Sequence, residues 1–156
     1  MTLACFLADS QFSLACTGGT DPAIPAAGQN FSVQVDCQSE RTSGLTHGDE
    51  ILLVRHRVGA DVVASIGGEH PVPKGTLREF RRLSLSHGGQ PGQSRFQLGV
   101  DSFALTDNAG RSILYPGTHY IDVSPRTPGS AWSLTVKVGG KAKAVLATPP
   151  PLLKST

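Results

Sequence analysis

Five histidines, three cysteines and twelve carboxylates hold most of the chemistry this sequence could perform. The histidines stand at positions 47, 56, 70, 87 and 119. No two are four apart, the spacing that places a pair of metal ligands on one helical face. His56 and His119 fall within strand-like runs, while His47, His70 and His87 lie in turn-like contexts. Surface and strand positions account for all five, and no metal site is expected. The cysteines, Cys5, Cys16 and Cys37, cannot all pair within one chain, and their spacing fits no zinc pattern. The plain reading is three small buried hydrophobes. In an oxidising compartment Cys16 and Cys37 are the expected pair, because each ends one of two early strands placed to lie side by side.

Glycoside hydrolysis with retention would need two facing carboxylates about 5–5.5 Å apart. The acids here fall mainly at strand ends and turns, and the sequence nominates no such pair. There is no Gly-x-Ser-x-Gly elbow for a serine hydrolase. Asp107-Asn108-Ala109-Gly110 echoes the start of a calcium loop but lacks the downstream ligands, so it reads as a β-turn. Asn30-Phe31-Ser32 is a glycosylation acceptor pattern, which matters only if the chain is secreted. No catalytic, cofactor-binding or metal-ligating residue is nominated, and no cofactor is implied.

The elements that would position any site are strands. Of 156 residues, 18 are Gly, 11 are Pro and 17% are charged, a composition suited to one turn-rich domain with a core of its own. Apolar and polar residues alternate through 11–15, 31–37, 95–98, 119–123 and 132–138. A period of two puts one set of side chains on each face of a strand. Ile51-Leu52-Leu53-Val54 is apolar on both faces and reads as a central strand. Thr17-Gly18-Gly19, Gly67-Gly68, residues 87–92, Asp107–Gly110, Tyr115-Pro116-Gly117 and residues 138–141 read as turns. No window sustains the helical period for the three turns of an independent helix.

The expected fold is all-β, an immunoglobulin or fibronectin type III-like antiparallel β-sandwich of seven or eight strands. It should occupy residues 11–147, between an N-terminal segment at 1–10 and a Pro-rich tail at 148–156. Its core should bury Phe31, Val33, Val35, Leu53, Phe80, Phe96, Leu98, Tyr120, Val123 and Trp132.

Charge excludes some functions. Residues 1–50 hold one basic residue (Arg41) against six acids, while the rest of the chain holds thirteen against six. The densest basic run, Arg78-Glu79-Phe80-Arg81-Arg82, is broken by an acid and a ring, so no nucleic-acid partner is expected. No apolar run approaches the 18 or so residues of a membrane span. The opening Met1–Ala8 is too short and lacks the basic leader of a signal peptide.

Residues 73–85, Pro-Lys-Gly-Thr-Leu-Arg-Glu-Phe-Arg-Arg-Leu-Ser-Leu, resemble a family signature of the form Pro-Lys…Leu-x-x-Phe-x-Arg-Val-x-Leu. It belongs to the fibronectin type III-like domain that closes many family 3 glycoside hydrolases. The match continues in family order through a Gly-rich turn, Phe96-Gln97-Leu98, Phe103–Asp107, Gly110 and Tyr115-Pro116-Gly117-Thr118-His119-Tyr120-Ile121-Asp122-Val123. Upstream, Phe31–Val35 resembles the family's second strand and Gly48–Val54 its third, with features closer to the β-xylosidase branch than to the β-glucosidases. Asp36-Cys37-Gln38 departs from the Asn-x-Gly usual after the second strand. The family's Ser-Asp-Trp-like nucleophile motif is absent, and its barrel needs roughly 250 residues.

The resemblance implies a non-catalytic accessory domain of a β-xylosidase or β-glucosidase, as a fragment or a separate chain. Its partners would be that enzyme's catalytic domains, in cis or in trans, with polysaccharide as a further candidate, and family behaviour would make it extracellular. Within such a domain Leu77, Phe80, Leu83 and Leu85 would anchor the cross-connection between sheets into the core. Two other classes compete: a free-standing module binding carbohydrate or protein, and an unrelated adhesion sandwich. A carbohydrate binder needs an exposed aromatic platform. Trp132 shares a face with Leu134 and Val136 and should point inward.

Overall fold

The computed structural model describes residues 12–41, 48–85, 92–125 and 131–148. Segment 1–10 with Cys5, the tail beyond residue 148, and His47 and His87 lie outside these residues.

Two sheets face each other. One holds β1 (Phe12–Asp21), β2 (Ser32–Arg41) and β5 (Gly92–Gly99) in the order β1-β2-β5. The other holds β3 (Gly48–Val58), β4 (Thr76–Leu85), β8 (Gly117–Pro125) and β9 (Trp132–Val138) in the order β4-β3-β8-β9. All pairings within them are antiparallel. Three short strands, β6 (Leu105–Thr106), β7 (Ser112–Leu114) and β10 (Ala144–Ala147), form a third sheet at one end. The architecture is therefore the expected β-sandwich, with seven long strands.

The alternation does what its period requires. Val33, Val35, Phe96 and Leu98 from the first sheet meet Leu52, Val54, Ile121, Val123 and Val136 from the second in one continuous core. Each fully buried side chain of this size contributes about 1.5–3 kcal/mol relative to exposure. Phe31, Val33, Val35, Phe96, Leu98 and Val123 are buried as expected. Leu53, Tyr120 and Trp132 are only half-buried, and Phe80 is 65% exposed, with Leu77 at 50%. The anchoring role assigned to Leu77 and Phe80 is thus incorrect, although Leu83 is buried. The cause is phase. Phe80 lies opposite Leu53, which faces away from the core, and a register shift after Val54 brings Leu77 opposite Arg55 on the same outer side.

Thr17-Gly18-Gly19 is no turn. It continues β1, opposite Asp36, Val35 and Gln34. Glycine is required at 18 by close approach, since a Cβ there would lie 2.9 Å from Cη2 of Trp132 and 3.1 Å from Cδ2 of Leu134. Trp132 accordingly turns toward the core with Leu134, as the alternation requires.

A two-turn helix, α1 (Ala60–Ile66), follows β3 and was not legible as a periodic run. Val62 and Ile66, four apart, are its buried residues and join Leu105, Ile113 and Tyr115 in a second, smaller core. Asp61 in its first turn suits the positive end of the helix. Its carboxylate accepts from the Thr118 backbone N–H and hydroxyl, both at 2.9 Å, tying α1 to β8.

The strand begins at Gly117, with φ +130°, where a Cβ would sit 2.6 Å from a Val62 methyl. Replacing Gly117 with Ala is expected to cost about 2 kcal/mol through strain and displacement of α1. A thermal melt of Gly117→Ala coinciding with that of the parent would contradict this docking.

Candidate functional site

Three groups of polar side chains come together, and each has different chemical capacity. The first is a buried histidine pair. His56 on β3 and His119 on β8 are diagonal neighbours, since Val58 faces His119 and His56 faces Ile121. Their rings stack 5.2 Å apart, and Phe103 meets both edge-on. His119 Nε2–H donates to the Tyr115 carbonyl oxygen at 2.8 Å. His119 Nδ1 therefore accepts from His56 Nε2–H at 2.9 Å. His56 Nδ1 is left buried with no hydrogen-bond partner among the described residues, as is Nε of Arg78, whose Nη2 donates to the Ala104 carbonyl oxygen. Burial, then the nearby His119 and Arg78, push the His56 pKa down to about 3. Burial also lowers that of His119, against the pull of the Tyr115 carbonyl and Asp61. Both rings are at most 1% exposed, so no substrate reaches them and they serve as neutral packing groups.

The second group lines a hollow of about 200 Å³ at the end of the sandwich carrying β6 and β7. His70 Nδ1–H donates to the Pro71 carbonyl at 2.9 Å, and its Nε2 accepts from the Tyr115 hydroxyl at 2.8 Å. Lys143 pairs with Glu69 at 2.9 Å and Arg111 with Asp107 at 2.7 Å. Each cation has its own carboxylate, leaving little net charge to draw an ion. Asp107 closes the turn as read from sequence. Its Oδ1 accepts from the Ala109 and Arg111 backbone N–H groups, and its main-chain carbonyl accepts from Gly110.

The third group is the outer face of the three-stranded sheet. Thr17, Gln34, Asp36, Gln38, Gln93, Arg95 and Gln97 border two adjoining shallow depressions of about 530 and 450 Å³. Asp36 is held by Arg95 at 2.6 Å and by Gln34 at 2.8 Å. Among the described residues no aromatic ring lines either depression, so none of them offers a sugar a ring to stack on.

Four of the described carboxyls are poorly suited to proton donation. A general acid needs a raised pKa, yet Asp36, Asp61, Glu69 and Asp107 are all displaced downward. Hydrogen bonds from Arg95, Lys143 and the Arg111 backbone are the largest causes for Asp36, Glu69 and Asp107. For Asp61, burial acts upward but is outweighed by its bonds to Thr118 and nearby backbone. Among the described residues no three His, Cys, Asp or Glu side chains converge as a metal set.

Cys16 and Cys37 lie directly opposite each other in mid-strand, with Cα atoms 4.1 Å apart, and form a disulfide. This replaces the reading of both as simple buried hydrophobes. Both strands run past their cysteines, so the pair pins the middle of the ladder. Asn30 of the acceptor pattern is exposed just before β2.

The histidine pair was missed, although a signal existed. His56 shares the inward parity of Leu52 and Val54, and His119 that of Ile121 and Val123.

No family model and no curated sequence matches the chain. Solved structures do. A β-glucosidase from Listeria innocua in complex with glucose superposes with TM-score 0.60 at 19% identity, over 84% of this chain and 16% of its own. A β-glucosidase from Erythrobacter marinus gives 0.58 at 16%, over 82% of this chain and 16% of its own. One from Kluyveromyces marxianus in complex with glucose gives 0.55 at 14%, over 87% and 15%. The chain is thus an all-β sandwich of a kind found within β-glucosidases. It spans about 16% of the length of the first of these.

Proposed function

We propose that this chain is the fibronectin type III-like accessory domain of a family 3 glycoside hydrolase, a β-xylosidase or β-glucosidase. In this role it is non-catalytic and works with the enzyme's catalytic domains, in cis or in trans. The observation that carries the reading is the superposition of 84% of this chain on 16% of a β-glucosidase. The ordered motifs from Phe31 to Val123 supply the finer assignment. The chemistry is compatible: the displaced carboxyls are better acceptors than donors, and the buried histidines touch no solvent. A free-standing carbohydrate module is less well supported, because among the described residues no aromatic ring lines the depressions on the three-stranded sheet.

The chain alone is expected to show no turnover of aryl β-xylosides or β-glucosides from acid to neutral pH, with a complete family 3 enzyme as positive control. Turnover that survives repurification and vanishes when one Asp or Glu is replaced would overturn this reading.

A further inference from the structure

The two outer faces of the sandwich are built differently. On the three-stranded sheet the outer face is polar, with Thr17, Gln34, Asp36, Arg95 and Gln97 turned to water. On the four-stranded sheet the half formed by β4 and β3 presents Phe80 and Leu77, 65% and 50% exposed, beside half-buried Ile51 and Leu53.

β4 also reverses the usual assignment of residue types. Glu79 lies opposite the buried Val54 and Arg81 opposite the buried Leu52, so charged side chains take the inter-sheet side while Phe80 takes the outside. Arg81 is accommodated there by Glu79 at 3.2 Å and by the Phe96 ring, 5.1 Å from its guanidinium carbon. A strand that points its charges inward and its aromatic outward leaves apolar burial unrealised in the isolated domain. Inward charges on an edge strand also discourage pairing with another strand along that edge, which leaves the face as the surface to be covered.

Two arginines flank this apolar strip on β3. Register places Arg55 and Arg57 on the same face, with Asp122 opposite Arg55. Asp122 is engaged by Arg57 at 2.6 Å, and Arg55 donates to the Ser124 hydroxyl. Arg55, which donates there to a neutral hydroxyl, selects for a carboxylate on whatever covers the strip. A chain that spans 16% of a β-glucosidase's length leaves a large body available to do so.

We propose that the outer face of β3 and β4, centred on Phe80, is where the catalytic body of the parent glycosidase seats, meeting it with an apolar centre and a carboxylate opposite Arg55. The proposal rests on the accessory-domain reading and adds the face and the chemistry of the contact.

Hydroxyl-radical footprinting of native residues tests it, comparing the chain alone with the longest polypeptide encoded in frame at its locus. If that polypeptide carries a glycosidase body, labelling of Phe80 and Leu77 should fall severalfold, while Ile24, 70% exposed on the connection between β1 and β2, stays unchanged. Arg55→Glu in the long polypeptide should restore part of the labelling. A glycosidase body that leaves Phe80 equally labelled overturns the face and leaves the accessory reading standing. Absence of any such body in or beside the frame overturns both. Protection of Phe80 in the chain alone, lost on dilution, would make the strip an interface between copies and also overturn the proposal.

Discussion

Acidification from pH 6.5 to about 4.5 is expected to remove about 2 kcal/mol of folding stability through His56 alone. The unfolded imidazole takes up a proton near 6.5, whereas the folded one resists protonation until about pH 3. The unfolded state therefore binds more protons across this window, so stability is full above 6.5 and declines as pH falls through it. The physical cause is local. A second proton would go onto Nδ1, which has no acceptor among the described residues, inside a core where Arg78 from β4 already supplies positive charge. His119 on β8 adds loss in the same direction, moderated by the Tyr115 carbonyl and by Asp61 on α1. Urea midpoints measured at stepped pH should show the decline. His56→Gln keeps a donor for His119 Nδ1 but has no proton to gain, so its stability should vary less steeply over the same range. Equal slopes for the variant and the parent would show that the pair does not govern acid sensitivity.

The second large effect concerns the cross-strand bond. Cys16 and Cys37 are 21 residues apart, and closing a loop of that size restricts the unfolded chain by about 3 kcal/mol in the chain-entropy account. The bond fastens β1, an end strand of its sheet, whose Gly18 lies under Trp132 and Leu134 of the opposite sheet. Reduction, or replacement of both cysteines by Ser, should lower the urea-derived stability by about that amount. A reduced chain as stable as the oxidised one would show that β1 is held by packing alone.

What could be read from the sequence was local. The strands β2, β5, β8 and β9 were visible because alternation is a property of neighbouring residues. The turn at Asp107 was visible because its hydrogen bonds close within four residues. The pairing of Cys16 with Cys37 was legible only as a conditional choice for an oxidising compartment. It took the register of β1 on β2 to replace the reading of both as buried hydrophobes.

Tertiary structure decided the rest. Alternation states that a strand has two faces and leaves open which one is covered. In β4 the register against β3 turned Phe80 outward and Arg81 inward, against the expectation from residue type. Gly18 looked like a turn residue because the ring that requires its missing side chain is Trp132, more than a hundred residues later. α1 is too short for its period to rise above chance and is held by Asp61 against β8. The histidine pair arises only when β3 and β8 align in one register, bringing together rings 63 residues apart. Hydrogen-bonded register and close packing act between segments distant in the chain, so the sequence determined the strands while the assembled sandwich determined which side chains meet.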